Sequence, residues 1–64
     1  MKRVRFEKYL HTLACELVRE GAKHSVFQNM LNGTLTTVPR HVELQPFLVR
    51  KICRDLGVEP PKEK

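Results

Sequence analysis

The chain has no tryptophan, two cysteines, three glycines and only four aromatic residues in 64. Two cysteines cannot build the disulfide framework that small secreted domains use in place of a large core. Cys15 and Cys53 also lack the paired spacing of a zinc site, so both read as free thiols packed as small hydrophobes. Gly21, Gly33 and Gly57 stand far apart, so no glycine-rich phosphate loop exists. No run of about 18 apolar residues occurs, which excludes a membrane-spanning helix. No apolar stretch follows the basic start Met1-Lys2-Arg3-Val4-Arg5, so a signal peptide is not expected and a reducing cytoplasm is. A chain of this length buries only about 60% of its unfolded surface, which leaves no room for a deep pocket.

Positive charge is what the chain has in surplus. Twelve Lys and Arg stand against seven Asp and Glu, a formal charge of +5. That balance points to an anionic partner, nucleic acid being the commonest. One domain is expected over residues 1–57. Residues 58–64, with Pro60-Pro61 followed by charges, are expected to form a flexible C-terminal tail.

A first helix is predicted from about Arg3 to Leu13, where Phe6, Tyr9, Leu10 and Leu13 form one apolar stripe. His11 lies opposite that stripe and is read as exposed, without a role. Cys15–Glu20 is short, partly alternating and ended by Gly21, which reads as a strand. Asn32-Gly33 between Ser25–Leu31 and Thr34–Val38 predicts a hairpin with a two-residue type I′ turn. In that register Phe27 faces Val38 and His24 faces His41. Pro39 falls where a missing N–H costs nothing if Thr34–Val38 is an edge and Ser25–Leu31 is central. A last helix is predicted from about Pro46 to Leu56, with proline in its first turn and Gly57 as its stop. Leu48, Val49, Ile52, Cys53 and Leu56 share one side of it; Phe47, Arg50, Lys51 and Arg54 share the other.

The order helix, strand, strand, strand, helix predicts an α+β fold like the double-stranded-RNA-binding domain, α-β-β-β-α. Its three-stranded antiparallel sheet would carry two helices on one face and leave the other open.

No metal motif, nucleophile triad or carboxylate pair stands out, and neither a metal nor a cofactor is expected. One cluster remains. The hairpin brings Lys23-His24 and Arg40-His41 to the same end of the sheet, with Arg19 close by. A histidine near neutral pH can take the proton of a ribose 2′-OH. Lysine and arginine can hold the phosphate and stabilise the charge that builds on it. The same residues also suit a basic RNA-binding surface without chemistry.

At this cluster the sequence resembles the HicA toxin family. The resemblance is carried by Cys15-Glu16-Leu17-Val18-Arg19-Glu20-Gly21, Lys23-His24, Phe27, Thr37-Val38-Pro39-Arg40-His41 and Arg50-Lys51-Ile52-Cys53-Arg54-Asp55-Leu56-Gly57. It implies the dsRBD-like fold, mRNA cleavage by a catalytic histidine that maps onto His24, and neutralisation by a HicB-type antitoxin over the active face. Many relatives have Gly-Ser before the histidine, where this chain has Ala22-Lys23. The leading expectation is thus a metal-independent endoribonuclease acting on mRNA. His24 would be catalytic, with Lys23, Arg40, His41 and Arg19 binding RNA. The alternatives are a non-catalytic RNA-binding module, and a protein-interaction domain that receives an acidic partner on Arg50, Lys51 and Arg54.

Overall fold

The computed structural model describes residues 1–62 of the chain. Its elements run α1 (Arg3–Thr12), β1 (Cys15–Glu20), β2 (His24–Asn29), β3 (Leu35–Pro39) and α2 (Pro46–Leu56). The strands form one antiparallel sheet in the order β1-β2-β3, so β2 is central and β3 is an edge. This is the α-β-β-β-α architecture expected from the sequence.

Alternation along the strands divides the sheet into two faces. Ser25, Phe27 and Asn29 of β2, with Thr36 and Val38 of β3, are buried on the side that meets the helices. Phe6 and Leu10 of α1 and Val49, Ile52, Cys53 and Leu56 of α2 complete that core, together with Cys15 and Leu44. His24, Val26, Gln28, Leu35 and Thr37 alternate with these and belong to the other, helix-free face. No helix among the described residues is long and apolar enough to cross a membrane.

The hairpin between β2 and β3 differs from the sequence expectation. Phe27 pairs with Thr36, Ser25 with Val38 and His24 with Pro39. The register is therefore slipped by two residues, and His24 does not face His41. A four-residue loop, residues 30–33, replaces the two-residue turn: the Asn29 N–H donates to the Thr34 carbonyl at 2.9 Å, and the Gly33 N–H to the Asn29 carbonyl at 2.7 Å. Gly33 does take the left-handed conformation, φ 79°, but Asn32 does not. Asn32 is spent on other bonds. Its Oδ1 accepts from the Thr34 N–H and hydroxyl, and its Nδ2 donates to the Leu56 carbonyl at 3.2 Å. Asn29 Nδ2 donates to the same carbonyl at 2.8 Å. The loop is longer because it is tied to the end of α2.

That helix end is closed by a Schellman motif. Gly57, at φ 70°, gives its N–H to Arg54, and Val58 gives its N–H to Cys53. Beyond it, Val58 packs on the core and the Tyr9 hydroxyl donates to the Glu59 carbonyl at 2.6 Å. Residues 63–64 of the expected tail lie outside the described residues. At the other end of the molecule, Lys2 bridges Glu43, the Arg3 N–H donates to Val42, and the Leu44 N–H donates to Met1. This short backbone strap fixes the start of α1 against the loop that leads from β3 into α2.

Candidate active site

The chain turns from β1 to β2 through Ala22 and Lys23 alone. The Gly21 N–H donates to the His24 carbonyl at 2.8 Å, closing a two-residue connection. Neither central residue takes a positive φ, and Gly21 does not either. Glycine is needed there for closeness, not for left-handed freedom: a Cβ on Gly21 would sit 3.0 Å from the His24 carbonyl oxygen. The carbonyl of Gly21 points elsewhere and accepts from Arg40 Nη1 at 2.9 Å. The Arg40 N–H in turn donates to the Lys23 carbonyl at 3.3 Å. Arg40 thus holds the turn by main chain and side chain, and the turn holds His24.

A glutamate that sequence spacing does not single out completes this bracing. Glu20 Oε1 accepts from the Ser25 hydroxyl at 2.6 Å and lies 3.8 Å from Arg40 Nη1. Glu20 and Ser25 are register partners on the helix side of the sheet, so Glu20 draws Arg40 to the strand ends from beneath. His24 is exposed at the first position of β2, on the open face. Arg19 pairs with Val26 on that same face, so Arg19 and His24 are diagonal neighbours. A β-bulge at Leu17–Arg19 produces this placement. The extra residue shifts the alternation of β1 and puts Arg19, not Val18, opposite Val26.

The structure therefore gathers Lys23, His24 and Arg40 at one strand end, with Arg19 diagonal to His24. His41 is exposed in the loop past β3 and has no strand partner. Of the four flanking candidates, Arg40 is the most committed to protein contacts. Lys23 and Arg19 have no carboxylate within ion-pair distance among the described residues. The site is a surface: the concavities between the helices and beside the 30–33 loop are lined by other residues. Among the described residues no three His, Cys, Asp or Glu side chains converge as metal ligands.

The thiols are far from this chemistry. Cys53 is fully buried, and desolvation, then the nearby Cys15, pushes its pKa up to about 11. Burial likewise raises Cys15, with the neighbouring Glu16 carboxylate adding to it. Both are protonated core residues at neutral pH. His11, read as an exposed bystander, bonds Glu16 Oε1 through Nδ1 at 2.9 Å, at the opposite end of β1 from the cluster.

Fold and site together define a class: a small α+β domain that presents an exposed histidine on an open sheet face, with several cations around the same strand end. A family model described as HicA toxin of bacterial toxin–antitoxin matches residues 5–58. The chain belongs to the HicA toxin family, and is by that membership the toxin of a toxin–antitoxin pair, of nuclease type and with an antitoxin as partner. No curated protein and no solved structure gives a match.

Proposed function

We propose that this toxin is a metal-independent endoribonuclease that cleaves mRNA in the cytoplasm, with His24 as its catalytic residue. The observation that carries the proposal is the position of His24: exposed on an open face, braced through Gly21 and Arg40, and flanked by cations. In the reaction the ribose 2′-oxygen attacks the adjacent phosphorus as its proton passes to an imidazole nitrogen. The P–O5′ bond breaks as the 5′-oxygen receives a proton, leaving a 2′,3′-cyclic phosphate and a 5′-hydroxyl. His24 serves as the base, or as the acid of the second transfer. Lys23 and Arg19 would bind the scissile phosphate and offset its growing charge. Arg40 positions the turn and adds field, and His41 contacts RNA further along the loop. The substrate brings its own nucleophile, which suits a site that has no pocket. The antitoxin, of HicB type, would silence the toxin by covering this face.

The test is incubation of purified protein with labelled RNA in EDTA. Cleavage is expected, and His24→Ala is expected to lower its rate by roughly 10²–10⁴-fold, the usual worth of a positioned acid or base. An intact but shifted RNA band would favour a non-catalytic RNA-binding module instead. Equal rates for wild type and His24→Ala would remove His24 from the mechanism.

A further inference from the structure

The two edges of the sheet are built differently. The β1 edge carries a bulge and the charged Glu16, Arg19 and Glu20. Bulges and charges are how proteins keep an edge from pairing with another chain. The β3 edge has neither. Thr34-Leu35-Thr36-Thr37-Val38-Pro39 is uncharged, regularly paired and β-branched at four of its positions. Leu35 is 58% exposed on it.

The register states which backbone groups are free. Asn29–Thr34 at one end and Lys23–Arg40 at the other are hydrogen-bonded pairs. Pairs alternate between them, so Thr36 and Val38 bond inward to β2 while Leu35, Thr37 and Pro39 point their backbone outward. The edge thus offers the N–H groups of Leu35 and Thr37 and the carbonyls of Leu35, Thr37 and Pro39. Pro39 stands where a further outward N–H would be.

Helix α2 overhangs this edge. The Thr36 hydroxyl donates to Asp55 Oδ2 at 3.3 Å, which sets one flank of the helix beside the strand. Lys51 and Leu48 lie on that flank, one and two turns before Asp55. Lys51 Nζ donates to Asp55 Oδ2 at 3.0 Å, and that bond, more than any other influence, holds the Asp55 pKa below its usual value. Asp55 is therefore answered from within, while Arg54 and Arg50 on the same helix have no carboxylate within ion-pair distance among the described residues.

We infer that the β3 edge is a docking site for an extended, acidic segment of a protein partner, which adds to the sheet as a fourth strand. Backbone bonds to Leu35 and Thr37 would give affinity; alternate side chains would give specificity. Apolar residues of the segment would lie on Leu35 at the open face, and acidic ones beside Lys51 at the helix side. The chain's net positive charge would draw the same segment in. A second copy of the chain fits less well, because its own α2 would bring Lys51 against its equivalent. RNA fits less well too, because the outward carbonyls of Leu35, Thr37 and Pro39 need donors in strand register, which a phosphodiester backbone does not carry. The site is separate from His24 and stands whether or not His24 is catalytic.

The probe is an eight-residue peptide alternating glutamate with valine, titrated into the isotope-labelled full chain and followed by amide NMR. Shifts and slowed amide exchange are expected at Leu35 and Thr37. Methylating the peptide's backbone nitrogens on alternate residues is expected to weaken binding by about tenfold or more in one phase and little in the other, since only one phase donates to the β3 carbonyls. Lys51→Glu, which leaves the edge intact, is expected to weaken it, as is a lysine-for-glutamate peptide. Thr37→Pro removes one outward donor at a position equivalent to Pro39 and is expected to do the same. Changes confined to the basic residues of α2, equal tolerance of both methylation phases, or protection on β1 instead of β3 would each overturn the inference. So would an RNA oligonucleotide that protects Leu35 and Thr37 where the peptide does not.

Discussion

The two turns of the sheet sit at opposite ends of the molecule and are held in opposite ways. The 30–33 loop is bound to the body: Asn29 and Asn32 both reach the Leu56 carbonyl, and Gly57 caps the helix beside them. The Ala22-Lys23 turn makes no hydrogen bond to either helix among the described residues. Only Gly21, Arg40 and the Glu20–Ser25 pair hold it. The first arrangement spends polar groups on closing the core. The second leaves a histidine and its cations facing solvent. The polar bonds that close the core are concentrated at one end of this domain, and the proposed chemistry at the other.

The sharpest way to test that division is to remove one side chain at each end. His24→Ala is expected to abolish most cleavage and leave the melting temperature within a degree or two, since an exposed strand-end side chain supports little. Asn29→Ala does the reverse. Asn29 is buried, and its loss breaks the bond to Leu56 and the one its Oδ1 accepts from the Leu31 N–H. The cost is about 2–3 kcal/mol, or roughly 10–20 °C in a domain of this size. Cleavage well below the melting temperature is expected to stay at the wild-type rate. If Asn29→Ala lost activity in step with His24→Ala while still folded, the two ends would not be separable.

How much of this was legible in the sequence follows the same division. The order of elements, the central β2, the edge β3 and both helices can be read from periodicity and stop signals. The two-residue slip in register cannot. Strand side chains alternate with a period of two, so a slip of two keeps Phe27 and Val38 on the core face and leaves the hydrophobic pattern unchanged. Asn32-Gly33 is a strong turn signal, yet the turn it marks is shaped by tertiary bonds from Asn29 and Asn32 to α2. The weak signal, Gly21-Ala22-Lys23, is the tight turn. The gathering of Lys23, His24 and Arg40 survived the slip because all three flank the same strand ends. The pairing of His24 with His41 did not, because it depended on the register itself. Glu20 and the strap between residues 1–3 and 42–44 left no pattern, since single contacts and three-residue pairings have no period.

A pair of glycine substitutions sharpens the comparison at smaller amplitude. Gly57 takes φ 70°, and a Cβ there would meet Asn32 Nδ2 at 3.0 Å. Gly57→Ala is expected to cost about 1–2 kcal/mol, the penalty of a left-handed L-residue, with cleavage unchanged. Gly21 has no such φ, but its added Cβ would press on the backbone oxygen of His24 itself. Gly21→Ala is expected to lower cleavage by about tenfold through displacement of the imidazole and to shift the melting temperature less than Gly57→Ala does. The same chemical change would then be read out as stability at one end and as rate at the other.

The smallest expected effect separates two roles for Arg40. Its guanidinium donates to the Gly21 carbonyl and lies near Glu20, so part of its capacity is spent inside the protein. Arg40→Gln keeps an amide donor within reach of Gly21 while removing the charge. If Arg40 acts chiefly by holding the turn, the variant is expected to cleave within a few-fold of wild type. The slope of RNA affinity against salt would then be unchanged. If it grips phosphate, affinity falls for every RNA sequence, and the slope of log affinity against log salt becomes shallower by about one unit, the signature of one lost phosphate contact. Lys23→Gln provides the reference. Lys23 lacks a carboxylate partner among the described residues, so its loss is expected to reduce the slope. A matched loss for both variants would make Arg40 part of the RNA-binding surface and leave Gly21 as the main brace of His24.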